Sequence, residues 1–259
     1  MKKSKLLLTS LMLASVLAGC NNNASNKETT AENNPVVKST SSEVKQTTTQ
    51  EKVKKEKSSV ELYNEMAKNS KSTEEIYVTG DVVVGEGKDV KPGIYDLEIT
   101  GGSGNIFGTR KNLNKPFINF LAGAPDSSSH YASKIRIILF DGDVLQFTNI
   151  SKIKFTAIPE EVQMSNELGV GEYVVGRDIK PGTYKLSTNK EMNSEFKELG
   201  WDIQIINGST KKSKHQRFNP GSPDVVVKLE EGEIISTMFQ ASRYEDLIDD
   251  ARLIFTEYK

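Results

Sequence analysis

Reactive and metal-binding side chains are scarce in this chain of 259 residues, which has one cysteine, two histidines and one tryptophan. A lone thiol excludes an internal disulfide and a multi-cysteine metal site. His130 and His215 stand far apart, with no second His or Cys at the close spacing a zinc site needs. No Gly-x-Ser-x-Gly nucleophile elbow occurs. Gly85-Glu86-Gly87-Lys88 lacks the leading glycine and the Ser or Thr of a phosphate loop, and the Gly101–Gly108 tract misses the dinucleotide spacing. Charge is also nearly balanced, at −1 over the whole chain. Removing the leader with Lys2, Lys3 and Lys5 brings it to −4. That balance lacks the basic footprint of a nucleic-acid binder. These shortages argue against an enzyme, a resident cofactor and a nucleic-acid partner.

What is present is a sequence that occurs twice. Val84-Gly85-Glu86-Gly87-Lys88-Asp89-Val90-Lys91-Pro92-Gly93-Ile94-Tyr95-Asp96-Leu97 is echoed by Val175-Gly176-Arg177-Asp178-Ile179-Lys180-Pro181-Gly182-Thr183-Tyr184-Lys185-Leu186. Pro-Gly suits a type II turn, with Pro92 and Pro181 at the first corner and Gly93 and Gly182 at positive φ in the second. Tyr95 and Leu97, like Tyr184 and Leu186, then alternate on one face of a strand. Asp89 and Asp178 stand where a carboxylate can accept backbone N–H groups of the turn. Further on, Ile135–Leu145 matches Val225–Ile235. Pro92 and Pro181 are 89 residues apart, and Leu139 and Leu229 are 90 apart. A constant offset at two landmarks implies tandem copies of one unit.

Met1 to Cys20 reads as a targeting segment. Three lysines precede the apolar stretch Leu6–Val16, which is too short to span a bilayer. The stretch ends in Leu17-Ala18-Gly19-Cys20. It resembles the signal of bacterial lipoproteins, which implies cleavage after residue 19, lipidation of Cys20 and anchoring to the outer face of a cell membrane. The acyl groups would then be the link to the membrane. Residues 20–74 read as a disordered polar tether, too poor in apolar residues to offset chain entropy. Within it, Val60–Met66 has enough apolar residues for one or two helical turns.

The expected fold is mainly β: two tandem β-sandwich or barrel-like domains, residues 75–160 and 161–259. One short helix is expected in the second domain. It would start at Ser242, where Ser242-Arg243-Tyr244-Glu245 is a capping-box pattern. Three surface features are left. Asp141, Asp143, Glu231 and Glu233 flank matching glycines. They fit either tight hairpin turns or oxygen ligands for Ca²⁺. Lys211–Arg217 is a basic loop, either merely solvated or suited to anionic wall polymer or lipid headgroups. Trp201, Tyr95, Tyr184 and Phe218 are core residues or the lining of a glycan groove.

The pattern Val-Gly-x-Asp-Ile-x-Pro-Gly-x-Tyr resembles one found in secreted and lipid-anchored proteins of Gram-positive bacteria and their phages. The first copy departs from it with Val90 in place of Ile and two extra residues before Asp89. The resemblance implies no activity. The expectation is a lipid-anchored binding or scaffolding protein whose partner is a wall polymer or a surface protein. Alternatives are an immunity or stress lipoprotein that sequesters a toxin or peptide, and an accessory factor of envelope metabolism.

Overall fold

Period-two alternation, broken by Gly, Pro and Asp turns, makes strands the main element of the described chain. The computed structural model describes residues 57–113, 117–127, 129, 131–210, 212–241 and 248–259. Helix α1 (Ser59–Asn69) comes first. The first half then holds β1 (Ile76–Tyr77), β2 (Val82–Val83), β3 (Gly93–Thr109), β4 (Phe117–Gly123), β5 (Lys134–Leu139) and β6 (Val144–Ala157). The second half holds β7 (Glu167–Leu168), β8 (Gly171–Val174), β9 (Gly182–Thr188) and β10 (Trp201–Asn207), then β11 (Lys212–Phe218), β12 (Val226–Leu229), β13 (Glu233–Phe239) and β14 (Leu253–Glu257). The fold is mainly β.

The two halves follow one pairing plan. Gly93 faces Leu139 as Gly182 faces Leu229, and Leu97 faces Phe155 as Leu186 faces Phe255. Ile76 faces Ile153 as Leu168 faces Leu253. Val83 faces Val144 as Val174 faces Ile234. In the first half two long strands run unbroken. β3 slips register around Gly101 and Gly102, and β6 bends near Asn149, a non-glycine residue with φ of 60°. In the second half the same places carry inserted segments. β9 and β10 are therefore separate strands, as are β13 and β14. The result is a four-stranded sheet, β12-β9-β14-β7, beside a ten-stranded sheet that runs through both halves.

The halves join where β5 pairs with β8 in parallel, through Arg136 and Gly171. Gly171 has φ of 134°, and a Cβ there would stand 2.3 Å from the Arg136 carbonyl oxygen. Only glycine allows this approach. The main core, with Tyr95, Leu97, Phe155, Tyr184, Trp201 and Phe255, draws on both halves. A second core lies under α1, where Tyr63 and Ala67 meet Ile94 and Ile138 of the first half and Val174, Ile206 and Ile234 of the second. The helix therefore straps the seam.

Two expectations need correction. The disordered reading of residues 20–74 fails at α1. Ser58 caps the helix with Glu61 in a reciprocal capping box, and Tyr63 and Ala67 bury one face. This helix, which precedes the strands, is the only one among the described residues; the separate helix expected from Ser242 in the second half falls outside the described residues. The basic loop is largely strand β11, paired along its length with β10. Its run of Lys, His and Arg hid an edge strand, whose charged side chains are exposed because no described strand pairs on its outer side.

Candidate functional site

The repeated residues are used by the backbone around them. The Tyr95 hydroxyl donates to the Lys91 carbonyl at 2.9 Å, and Tyr184 donates to Lys180 at 2.9 Å. Each ring meets an equivalent phenylalanine edge-on, Phe155 at 5.6 Å and Phe255 at 5.8 Å. Burial pushes both phenol pKa values up. Asp89 accepts the Val83 N–H at 2.9 Å, and Asp178 accepts the Val174 N–H at 2.7 Å. Pro92 and Pro181 precede Gly93 and Gly182, which open β3 and β9.

The type II turn is not formed. Neither Gly93 nor Gly182 has positive φ. Glycine is needed there because the tyrosine two residues on folds back over it. A Cβ on Gly93 would lie 2.9 Å from the Tyr95 ring and 2.2 Å from Ser70 Oγ, and one on Gly182 would lie 3.1 Å from the Tyr184 ring. The motif is thus a tyrosine clasp over a bare backbone.

The acidic turns also point inward. Asp143 is fully buried, and its Oδ2 accepts from Phe140 N at 3.0 Å and Arg110 Nε at 3.2 Å. Glu233 accepts from Glu230 N at 2.8 Å. Gly142 and Gly232 take positive φ, as tight hairpins require. Asp141 and Glu231 remain on the surface. Among the described residues no group of three or more acidic, His or Cys side chains could hold a metal ion. Trp201, Tyr95, Tyr184 and Phe218 are all buried, so they do not line a groove. Cys20 lies outside the described residues.

The chemistry that sequence reasoning missed sits at the seam. Arg110 places Nη1 2.8 Å from Glu172 Oε1 and Nη2 2.5 Å from the Ile138 carbonyl. Glu172 also accepts the Ile138 N–H at 3.0 Å. All three charged side chains, Arg110, Asp143 and Glu172, are buried, and they join the halves. Burial works against the Arg110 charge, but Glu172 and Asp143 hold its pKa above the ordinary value. For Asp143 burial wins, and its pKa is raised. Nearby Tyr63 of α1 is pushed up to about 12 by burial and the Glu172 charge. One signal was legible: Glu172 is two residues from Val174, in phase with an apolar strand face.

A second charged cluster lies on the other side of the seam. Arg136 Nε is 2.7 Å from Asp96 Oδ1, and Nη1 is 3.7 Å from Asp178 Oδ1. Arg177 bridges Asp178 at 2.9 Å and donates to the Pro159 carbonyl at 2.5 Å. Ser133 adds a latch, donating from N and Oγ to Asp249 at 2.7 and 2.6 Å. Two concavities flank these clusters. One, of about 820 Å³, runs beside α1 and is lined by Leu62, Met66, Pro92, Leu113 and Phe140 among others. The other, of about 310 Å³, opens beside Arg136, Tyr173 and Arg252. No helix among the described residues is long and apolar enough to cross a membrane. No protein family, curated protein or solved structure matches this chain.

Proposed function

We propose that this chain is a non-catalytic, lipid-anchored binding or scaffolding protein, held by Cys20 on the outer face of a cell membrane. The observation that carries the reading is where the repeated residues are spent. Tyr95, Tyr184, Asp89, Asp178, Asp143 and Glu233 all bond to backbone within their own half. A motif committed to its own backbone in that way builds a frame. Leu17-Ala18-Gly19-Cys20 supplies the reason for a membrane location. The partner would be a wall polymer or a surface protein, met by side chains that differ between the halves.

Metabolic labelling with a fatty acid tests the anchor. The wild-type chain should carry label and sediment with membranes, and Cys20→Ala should lose both. An unlabelled wild-type chain overturns the anchoring. Release of products by the purified chain from wall material or peptide would overturn the non-catalytic reading.

A further inference from the structure

Most cations along the seam have a carboxylate partner, but among the described residues Arg252 has none within ion-pair distance. Its Nη1 donates to the carbonyls of Asp249 at 2.9 Å and Ala251 at 2.8 Å. The Tyr173 hydroxyl is also uncommitted, making no hydrogen bond among the described residues. Both groups face one gap. A Cβ built on Gly169 would stand 3.4 Å from Arg252 Nη1 and 3.4 Å from the Tyr173 hydroxyl. Arg136 completes the set, with its guanidinium carbon 5.5 Å from the centre of the Tyr173 ring. All three residues line the 310 Å³ cleft.

We propose that this cleft binds a small organic monocarboxylate, with Arg252 and the Tyr173 hydroxyl as its donors and Arg136 beside them. The two groups left over are donors: beyond the two N–H groups that Nη1 gives to carbonyls, the Arg252 guanidinium keeps three, and the phenol keeps its O–H. A carboxylate fits a guanidinium fork. A dianion fits worse, because Asp96, Asp178, Glu167 and Asp249 ring the same space. The apolar walls, Val162, Leu168, Val170 and Ile248, suit an aliphatic arm. The volume lies at the small end of ligand pockets. Burial pushes the Tyr173 phenol up to about 12, so it stays protonated and able to donate at neutral pH. The site depends on neither the lipid anchor nor the partner proposed above.

The test uses the purified full-length chain, with butyrate, neutral butyramide and inorganic phosphate as probes, read by ligand-observed NMR and calorimetry. Butyrate should bind saturably with a dissociation constant of about 1 mM, in the range open to so few atoms. Butyramide should not compete. Tyr173→Phe removes one charge-assisted hydrogen bond and should weaken butyrate roughly tenfold. That hydroxyl makes no hydrogen bond among the described residues, so the variant should melt with the wild type. Arg252→Gln should abolish binding, and Gly169→Ala should hinder it by filling the gap. Equal binding of butyramide, binding of phosphate alone, or no saturation by butyrate at about 20 mM would each overturn the assignment. So would a Tyr173→Phe chain that binds butyrate as well as the wild type.

Discussion

Replacing Gly93 and Gly182 by alanine, one at a time, separates two accounts of the repeated motif. If the glycines were there for a type II turn, both substitutions would force a left-handed conformation and cost about the same. Neither residue has positive φ, so only the local space counts. At Gly182 the new Cβ would meet the Tyr184 ring at 3.1 Å, a tight contact that a small ring tilt relieves. At Gly93 it would meet Ser70 Oγ at 2.2 Å, Ser70 Cβ at 2.8 Å and the Tyr95 ring at 2.9 Å. Ser70 closes α1, and its hydroxyl accepts the Ile94 N–H at 2.9 Å. The clash therefore pushes the helix end off the sheet. Overpacking of this kind costs about 1–3 kcal/mol, and losing the Ser70 bond adds about 1 kcal/mol. Gly93→Ala should then cost about 3 kcal/mol and Gly182→Ala below about 1 kcal/mol. For a chain of this size the first corresponds to a fall in Tm of roughly 6–12 °C. Urea unfolding at equilibrium measures both. Adding Ser70→Gly to Gly93→Ala should recover part of the loss, because it removes both Ser70 atoms in the clash. Equal losses at the two glycines, or no recovery with Ser70→Gly, would refute the clasp.

Two further perturbations address the buried seam. Arg110→Ala should cost about 3–5 kcal/mol in the same urea assay, because it leaves the Asp143 and Glu172 carboxylates buried without their cation. Asp143→Asn should change how stability depends on pH. The folded pKa of Asp143 is raised above 3.8, chiefly by burial, so the native state binds this proton more tightly than the unfolded chain. Its contribution is therefore fully present below about 3.8 and is lost as pH rises through the folded value. The stability of Asp143→Asn relative to wild type should accordingly rise with pH across that window; a difference that is flat in pH would contradict the raised value.

The β character of both halves was legible because its signals are local. Alternation marks β9 and β10, and each half carries its own turns. The constant offset between Pro92 and Pro181, and between Leu139 and Leu229, reflects matched registers opposite Gly93 and Gly182. The role of Gly93 was misread because Pro-Gly has a strong turn preference of its own. What decides the matter is a tyrosine ring and a serine 23 residues upstream, and no local preference reports either. Arg110 and Glu172 were missed for the same reason, and Asp143 was read only as a turn residue or an ion ligand. They come from separate strands and loops, and a buried ion network is a property of the assembled seam.

The same seam explains why two similar halves give an asymmetric molecule. In a tandem array each unit repeats its neighbour's contacts, and edges must be managed at both ends. Here β4 and β11 occupy the same place in the pairing plan, each beside the strand that carries the turn back to its half. β4 turns Ile118, Phe120 and Ala122 into the core, whereas β11 exposes Lys212, Lys214, His215 and Arg217. The equivalents of the buried Ile118 and Phe120 in β11 are Lys214 and Gln216, read from their partners Gly108, Ile106, Ile205 and Ile203. Charge at inward-facing edge positions blocks further strand addition. The first half closes its edge with apolar packing, and the second protects its edge with charge. The two halves share one pairing frame and differ at their edges, so the surfaces that set them apart lie at those edges and where the halves meet.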